Sequence, residues 1–460
     1  MTAMERIAAH VAGTTLADLP QSARGKIATF LLDTLGVGIA GSSGAKVADL
    51  VTLARGWGGA PEATVWLTGE RMAAQSAAIV NAYQIHCLEF DCVHEGAVLH
   101  PMATILSAVL AWAEREAAQG RPVSGADLLP ALAVGVDVST MLGIVTDAPI
   151  RFFRPATAGG FGAAAAIARL AHFDVRQVMD ALGAQYAQTS GTLQPHVEGS
   201  PMLGLQVGFN AAAAIRATDL ARAGFRGPHD ILTGQYGYFR LFEMESENLA
   251  DFLPSLGRDW QIEAMSHKPW PSGRLTHGVI DGLAQLMRRE GFGAQDIARV
   301  EAKVPPLNFR LVGRPDVPAP EANYAKLCLR FVAGRFLATG RVGIEDFRGA
   351  ALTDPETHRL AALVDVVLDE ANPDQNALDP QTITVRLHSG AVHAVHLARV
   401  YGHPDVPLSA AENEAKFRRC AAAAVRPLPD PDALIAAVGK IETMTDIAEL
   451  ARLSVAGKGA

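Results

Sequence analysis

Apolar residues recur at helical spacing in one segment after another across residues 1–265, and this succession of helices limits the folds open to the chain. QSARGKIATFLLDTLGVGIAGSSG carries the spacing and stops at glycines. MAAQSAAIVNAYQIHCLEF and HPMATILSAVLAWAEREAAQG follow, the second with Pro101 in its first turn, where a missing N–H costs nothing. SGADLLPALAVGVDVSTMLGIV, ATAGGFGAAAAIARLA, VRQVMDALGAQYAQTSG and GLQVGFNAAAAIRATDLARAG continue the pattern, with no convincing alternating strand between them. Aromatic residues are only 6% while Ala, Gly, Val and Leu abound, which favours close-packed helices over a β-sandwich.

The character changes near residue 266. IARVEAKVPPL alternates and is rich in β-branched residues. QTITVRLHSGAVHAVHLARV reads as a hairpin joined by Ser389-Gly390. Helices are expected between them around 324–340 and 355–364, and again at 409–424, 431–438 and 443–453. The pattern predicts a mainly α protein. It has a large all-helical domain over 1–265, an inserted smaller α+β domain over 266–400, and a helical tail over 401–460 that returns to the first domain.

The net charge of -8 comes without any concentrated basic run beyond pairs such as Arg288-Arg289 and Arg418-Arg419, so no nucleic-acid partner is expected. No segment reaches roughly 18 uninterrupted apolar residues, so no membrane span is expected. MTAMERIAAHVAG is too mixed for a signal peptide. Cys87, Cys92, Cys328 and Cys420 form no CxxC pair and read as reduced, buried thiols of a cytoplasmic protein.

Four segments could carry chemistry. CLEFDCVHEGAVLHPMATILSAVLAWAE, residues 87–114, sets Glu89, Asp91, His94, Glu95 and His100 between two apolar runs, where charges are costly unless paired or used. His100 precedes a helix start, whose partial positive charge lowers an imidazole pKa. The plain structural alternative is that Glu89 and Asp91 pair with core arginines. SHKPWPSGRLTHG, residues 266–278, packs His267, Lys268, Ser272, Arg274 and His277 into a proline-stiffened lead-in to a helix, either an anion site or a hinge with solvated charges. RFFRPATAGGFGAAAAIARLA fits neither GxGxxG nor the P-loop, so its glycines suit tight packing, while Arg154 at the mouth of a buried helix calls for an anion. In SGTLQPHVEGSPMLGLQVGFNAAAA, His196 and Glu198 are a weak signal. Asp91, His94 and His100 lack HExxH spacing, and neither a GxSxG elbow nor a nucleotide fingerprint is present.

These motifs resemble a known family. NAYQIHCLEFDCVHEGAVLHP is similar to the NG…AHxLDFDD(T/S)H…HP signature of the MmgE/PrpD family, HKPWPSGRLTHGVIDG to its KxYPSCxxTHxxID segment, and RPATAGGFGAAAAIARL to its HPTxTAGxFGAAAAAARL helix. LLDTLGVGIAGS and GHPDVPLSAAENEAKF also look like family segments, so the resemblance spans nearly the whole chain. It implies a helical domain with an α+β lid, a homodimer, and proton transfer or C–X cleavage beside the carboxylates of a di- or tricarboxylic acid, with neither metal nor organic cofactor.

Carried over by position, the resemblance implies that Asp91, His100 and Lys268 are the catalytic set. Arg154 stands where the family has a histidine, Leu203 a lysine, Gly273 a cysteine or histidine, and Phe331 a tyrosine. His100 is the expected proton carrier, oriented by Asp91. Lys268, Arg154 and Arg274 are expected to hold substrate carboxylates and enolate-like charge, with Ser272, Glu89, His94 and His277 as further contacts. The expected function is a lyase like 2-methylcitrate dehydratase. The alternatives are an epimerase of the iminodisuccinate kind and a non-catalytic polycarboxylate-binding protein.

Overall fold

The computed structural model describes residues 1–243, 246 and 248–456; residues 457–460 of the expected tail lie outside that set. The protein is mainly α. Six long helices, Gln21–Gly41, Ala74–His86, Pro101–Ala118, Gly125–Ile144, Gly159–Leu170 and Met202–Arg222, form the larger core. Small residues set their spacing. A side chain at Gly162 would begin 2.4 Å from the carbonyl oxygen of Gly135 on the neighbouring helix, and one at Gly135 would begin 2.8 Å from that of Gly162. The helix Gly125–Ile144 is long and apolar enough to cross a membrane by length and composition, and 89% of its apolar window is buried inside the protein. The expectation from uninterrupted apolar runs passed over it because Asp127 and Asp137 break the run.

Short strands do occur in the first 265 residues, contrary to expectation. β1 (Ala63–Thr64) pairs antiparallel with β2 (Arg71–Met72), and β3 (Val93–His94) pairs antiparallel with β4 (Met265–Ser266). Two residues are too few to show alternation. The β3–β4 pairing ties the charged turn at 87–100 to the segment that opens with His267 and Lys268.

The second core lies over 279–400. Its sheet contains β5 (Ile297–Val304), β6 (Val364–Leu368), β7 (Gln381–Leu387) and β8 (Val392–Leu397) in the order β6-β5-β7-β8. β5 and β6 are parallel, and the other pairs are antiparallel. The helix expected to run to 364 ends at Ala361, and the Val-rich stretch after it enters the sheet as β6. One face of β5 and β7 buries Val300, Ala302, Val304, Ile383 and Val385. The helix His277–Glu290 packs against β7 and β8, and Leu329–Thr339 packs against β6.

The helix Ala410–Ala422 packs back on Gln21–Gly41. Lys416 makes the join: its Nζ lies 2.6 Å from Asp33 Oδ1 and donates to the Phe90 carbonyl at 2.9 Å. Both side chains are out of solvent, so each charge depends on the other.

Candidate active site

The helix Ala74–His86 ends at His86, and the chain then doubles back beneath it. Glu89 takes the left-handed backbone region at φ +51 and its N–H donates to the His86 carbonyl at 3.0 Å. A non-glycine residue held there is strained, a condition that gathers at functional sites. The turn returns two carboxylates to the histidine. Asp91 Oδ2 lies 3.0 Å from His86 Nδ1 and 3.1 Å from His100 Nδ1. The two imidazoles meet edge to face with ring centres 5.0 Å apart. His100 caps the helix Pro101–Ala118 and is the more open of the pair, with 15% of its side chain exposed against 2% for His86.

Lys268 enters from the segment tied down by β4. Its Nζ donates to Glu89 Oε2 at 2.9 Å and lies 3.7 Å from Asp91 Oδ1. Glu89 Oε1 is 3.5 Å from His86 Nε2. Burial opposes charge throughout this cluster, but the mutual attractions outweigh it for the acids. Lys268 and His86 hold Glu89 down at about 2, and His100, His86 and Lys268 hold Asp91 well below the usual carboxylate range. His86, against burial, is raised by Asp91 and Glu89, so it favours the imidazolium. His100 is lowered, by burial first and by Lys268 and His86 in addition, so it favours the neutral ring.

His86, Glu89 and His100 of this cluster edge a cavity of about 80 Å³, several times the roughly 10–15 Å³ that one water needs, while Asp91 and Lys268 lie behind them. His86, Glu89, His100 and His196 contribute polar edges, while Leu193, Leu203, Leu311, Leu327, Phe152 and Phe153 make most of the wall apolar. Lid and helical residues meet here. Gly199 takes φ +73, and a side chain there would begin 2.9 Å from the Tyr324 main chain, so the close approach requires glycine.

The structure brings Asp91, His100, Lys268 and Glu89 together, and it gives five other expected site residues internal duties. Arg154 lines the cavity, but its guanidinium grips Glu243 through Nε and Nη2, the latter at 2.7 Å, and donates from Nη1 to the carbonyls of Ala97 and Gly143. Arg274 donates to Glu95 at 2.8 Å and to the carbonyls of Tyr401 and Val400. Neither is a free carboxylate clamp. Ser272 shares a hydrogen bond with Thr276 and is buried away from the cavity lining. His277 lies under Trp270, with Nε2 3.2 Å from the Ser272 carbonyl, and burial holds it neutral. His94 accepts the Ala97 N–H at Nδ1, meets Gln261 at Nε2, and is pushed down to about 4 by burial; it shapes the turn.

His86 was not among the expected site residues, because a histidine in the last turn of an apolar helix looks like core, although it falls on the histidine of the AHxLDFDD motif. Its spacing from Glu89 and Asp91 is the clue that was there. His86, Asp91 and His100 offer three ligand atoms within 4.8 Å of one another, close enough for a metal ion. However, both Nδ1 atoms are turned to one Asp91 oxygen and the Lys268 ammonium already lies beside the other, so a cation is in place at this carboxylate.

Residues 5–248 match the MmgE/PrpD N-terminal domain, and residues 270–435 match the MmgE/PrpD C-terminal domain. The chain belongs to the MmgE/PrpD family. It is similar to the cis-aconitate decarboxylase of Mus musculus, 28% identical over 92% of this chain and 87% of the relative, and to that of Homo sapiens, 27% identical over 92% and 88%. The cis-aconitate decarboxylase-like protein oryM of Aspergillus oryzae is 26% identical over 83% of each chain. Of the four positions where this MmgE/PrpD chain departs from the motifs, Arg154, Leu203 and Gly273 line the cavity. Phe331 is buried in the lid core against Phe347 and His358, away from the cavity lining.

Proposed function

We propose that this protein is a lyase acting on a tricarboxylate, and that it decarboxylates an unsaturated acid of the cis-aconitate kind. The observation that carries the reading is the His86–Asp91–His100 group at the edge of an apolar cavity. Its relatives named as cis-aconitate decarboxylases, aligned over most of both chains, support the same reading.

In the reaction, the C–C bond to one carboxylate breaks and its electron pair becomes a new double bond. The old double bond takes a proton at its far carbon, and CO₂ leaves. A carboxylate moved from water into apolar walls is raised in energy relative to the neutral CO₂ it becomes. The proton comes from Nε2 of His100 in its imidazolium form, which the ring takes up against its lowered pKa and gives up to become neutral. Its Nδ1 lies 3.1 Å from Asp91 Oδ2, so that nitrogen keeps its hydrogen and Nε2 is left for the substrate. Asp91 orients the ring, and Lys268 balances the buried acids.

Dehydration of a hydroxy acid of the 2-methylcitrate kind is the second reading. One observation favours it: His86 is held charged and His100 neutral, side by side, which supplies an acid for the leaving hydroxyl and a base for the carbon.

Incubation with cis-aconitate and with 2-methylcitrate in D₂O, followed by NMR, tests the reading. The expected result is CO₂ and an unsaturated dicarboxylate carrying one deuterium from cis-aconitate. Water loss from 2-methylcitrate instead favours dehydration, exchange without loss of a group marks an epimerase, and no change in either acid overturns the lyase.

A further inference from the structure

Both cavity arginines are committed to internal carboxylates, and Leu203 is apolar where the family has a lysine. A tricarboxylate therefore has to find a donor elsewhere on the wall. His86 and His100 are turned to Asp91, and Glu89 only accepts. The polar lining residue that remains is His196.

His196 lies in the short helix Gln194–Glu198 and is 7% exposed. Arg314 of the lid grips it twice. Nη1 donates to the His196 carbonyl at 3.1 Å, and Nη2 lies 2.9 Å from Nδ1. A guanidinium can only donate, so Nδ1 accepts and the ring proton sits on Nε2. Among the described residues the ring's hydrogen bond is the one at Nδ1, which leaves Nε2 free to donate. Burial, with Arg314 adding to it, pushes His196 down to about 4, so the ring stays a neutral N–H donor.

The charge behind the ring is uncompensated. Arg314 donates further to the Leu311 carbonyl and lies over the Tyr324 ring at 4.8 Å, and the groups that act on its charge are Tyr324 and Cys328, with no acidic side chain in salt-bridge reach among the described residues. Lys326, also of the lid, donates to the Cys87 carbonyl and to Asn323; among the described residues no carboxylate lies within salt-bridge distance of it, and Glu89 acts on it from further off. Partly buried cations without counter-charge are costly, and an anion arriving beside them removes that cost.

We propose that His196, locked by Arg314, is the subsite for a substrate carboxylate that does not react, the one that separates a tricarboxylate from a dicarboxylate. This rests on the reading that the cavity takes a carboxylic acid. His196 determines specificity, and Arg314 is a positioning residue that acts through it.

The test is calorimetric binding of two inert acids, tricarballylate and glutarate, which lacks the third carboxylate. His196→Ala is expected to weaken tricarballylate about ten- to a hundredfold, the usual loss of a hydrogen bond to a charged group, and glutarate by less than about twofold. His196→Gln, which keeps an N–H donor, is expected to restore part of the preference. Arg314→Met is expected to reduce the preference and make it pH-dependent, because the freed ring can change tautomer and titrate. Equal loss for both acids, no loss, or a glutamine variant no better than alanine overturns the subsite. Wild-type protein with no preference for tricarballylate overturns it too. If wild-type protein shows the preference and His196→Ala abolishes it, yet no acid is turned over, the subsite stands and the lyase reading falls.

Discussion

Lys268 donates to Glu89 at 2.9 Å, with the lysine side chain wholly out of solvent and the glutamate 8% exposed. The contact spans 179 residues and joins the two charged segments of the chain. Lys268→Met removes the cation nearest Glu89, leaves the buried Glu89 and Asp91 to share His86, and is expected to cost about 3–5 kcal/mol of stability. The double variant Glu89→Gln/Lys268→Met is expected to recover most of that loss while remaining inactive. Urea unfolding beside an activity assay checks both. A single variant as stable as wild type removes the pair from the account.

His100→Ala is expected to fold, since the side chain reaches the cavity, and to lower kcat by about 10²–10⁴. Asp91→Asn is expected to lower it as well, by misorienting both rings. The pH profile separates the two reactions. His100 is lowered from its ordinary value of 6.5. If it works as the acid of a decarboxylation, the rate falls as pH rises through that lowered value. If it is the base of a dehydration, the rate rises over the same window.

Arg154→Met tests whether Arg154 holds substrate or structure. The variant leaves Glu243 buried without its partner, so a loss of about 3–5 kcal/mol is expected, and Arg154→Met/Glu243→Leu is expected to restore stability. A selective rise in KM with unchanged unfolding would return Arg154 to substrate binding.

Stability is expected to fall between pH 6.5 and about 4. His94, His196 and His267 are each pushed down to about 4, chiefly by burial. In that window the unfolded chain binds protons that these folded rings refuse, so stability rises with pH, by about 1.4 kcal/mol per pH unit for each ring. His86, raised by its acids, works the other way; its contribution is fully present below 6.5 and lost as pH rises through its folded value. Below about pH 4 the depressed acids Glu89 and Asp91 add their own loss as they approach protonation. Chemical unfolding at pH 4.5, 5.5 and 6.5 measures the slope. A flat profile would mean the three rings are not held neutral.

The sequence showed where helices lie because their apolar period is local, and it showed the hairpin of β7 and β8 for the same reason. β6 was hidden since Val364–Leu368 follows a helix directly and pairs in parallel with a strand some 60 residues earlier. Asp91, His100 and Lys268 were legible through motifs. Arg154 and Arg274 were misjudged for one physical reason: their carboxylate partners lie 89 and 179 residues away, and local spacing cannot reveal a charge already matched across the fold. His196 was visible only as a weak signal, because its meaning depends on Arg314, 118 residues on.

The Lys416 ammonium touches the carbonyl of Phe90, the residue just before Asp91. The brace for the charged turn is therefore synthesised 326 residues after the carbonyl it holds. A nascent chain stalled near residue 405 would hold every proposed catalytic side chain and still lack the strut beneath them. In such a chain Asp33 would be a buried carboxylate without its ammonium, and the Phe90 carbonyl would lose the donor that ties the tail to the turn.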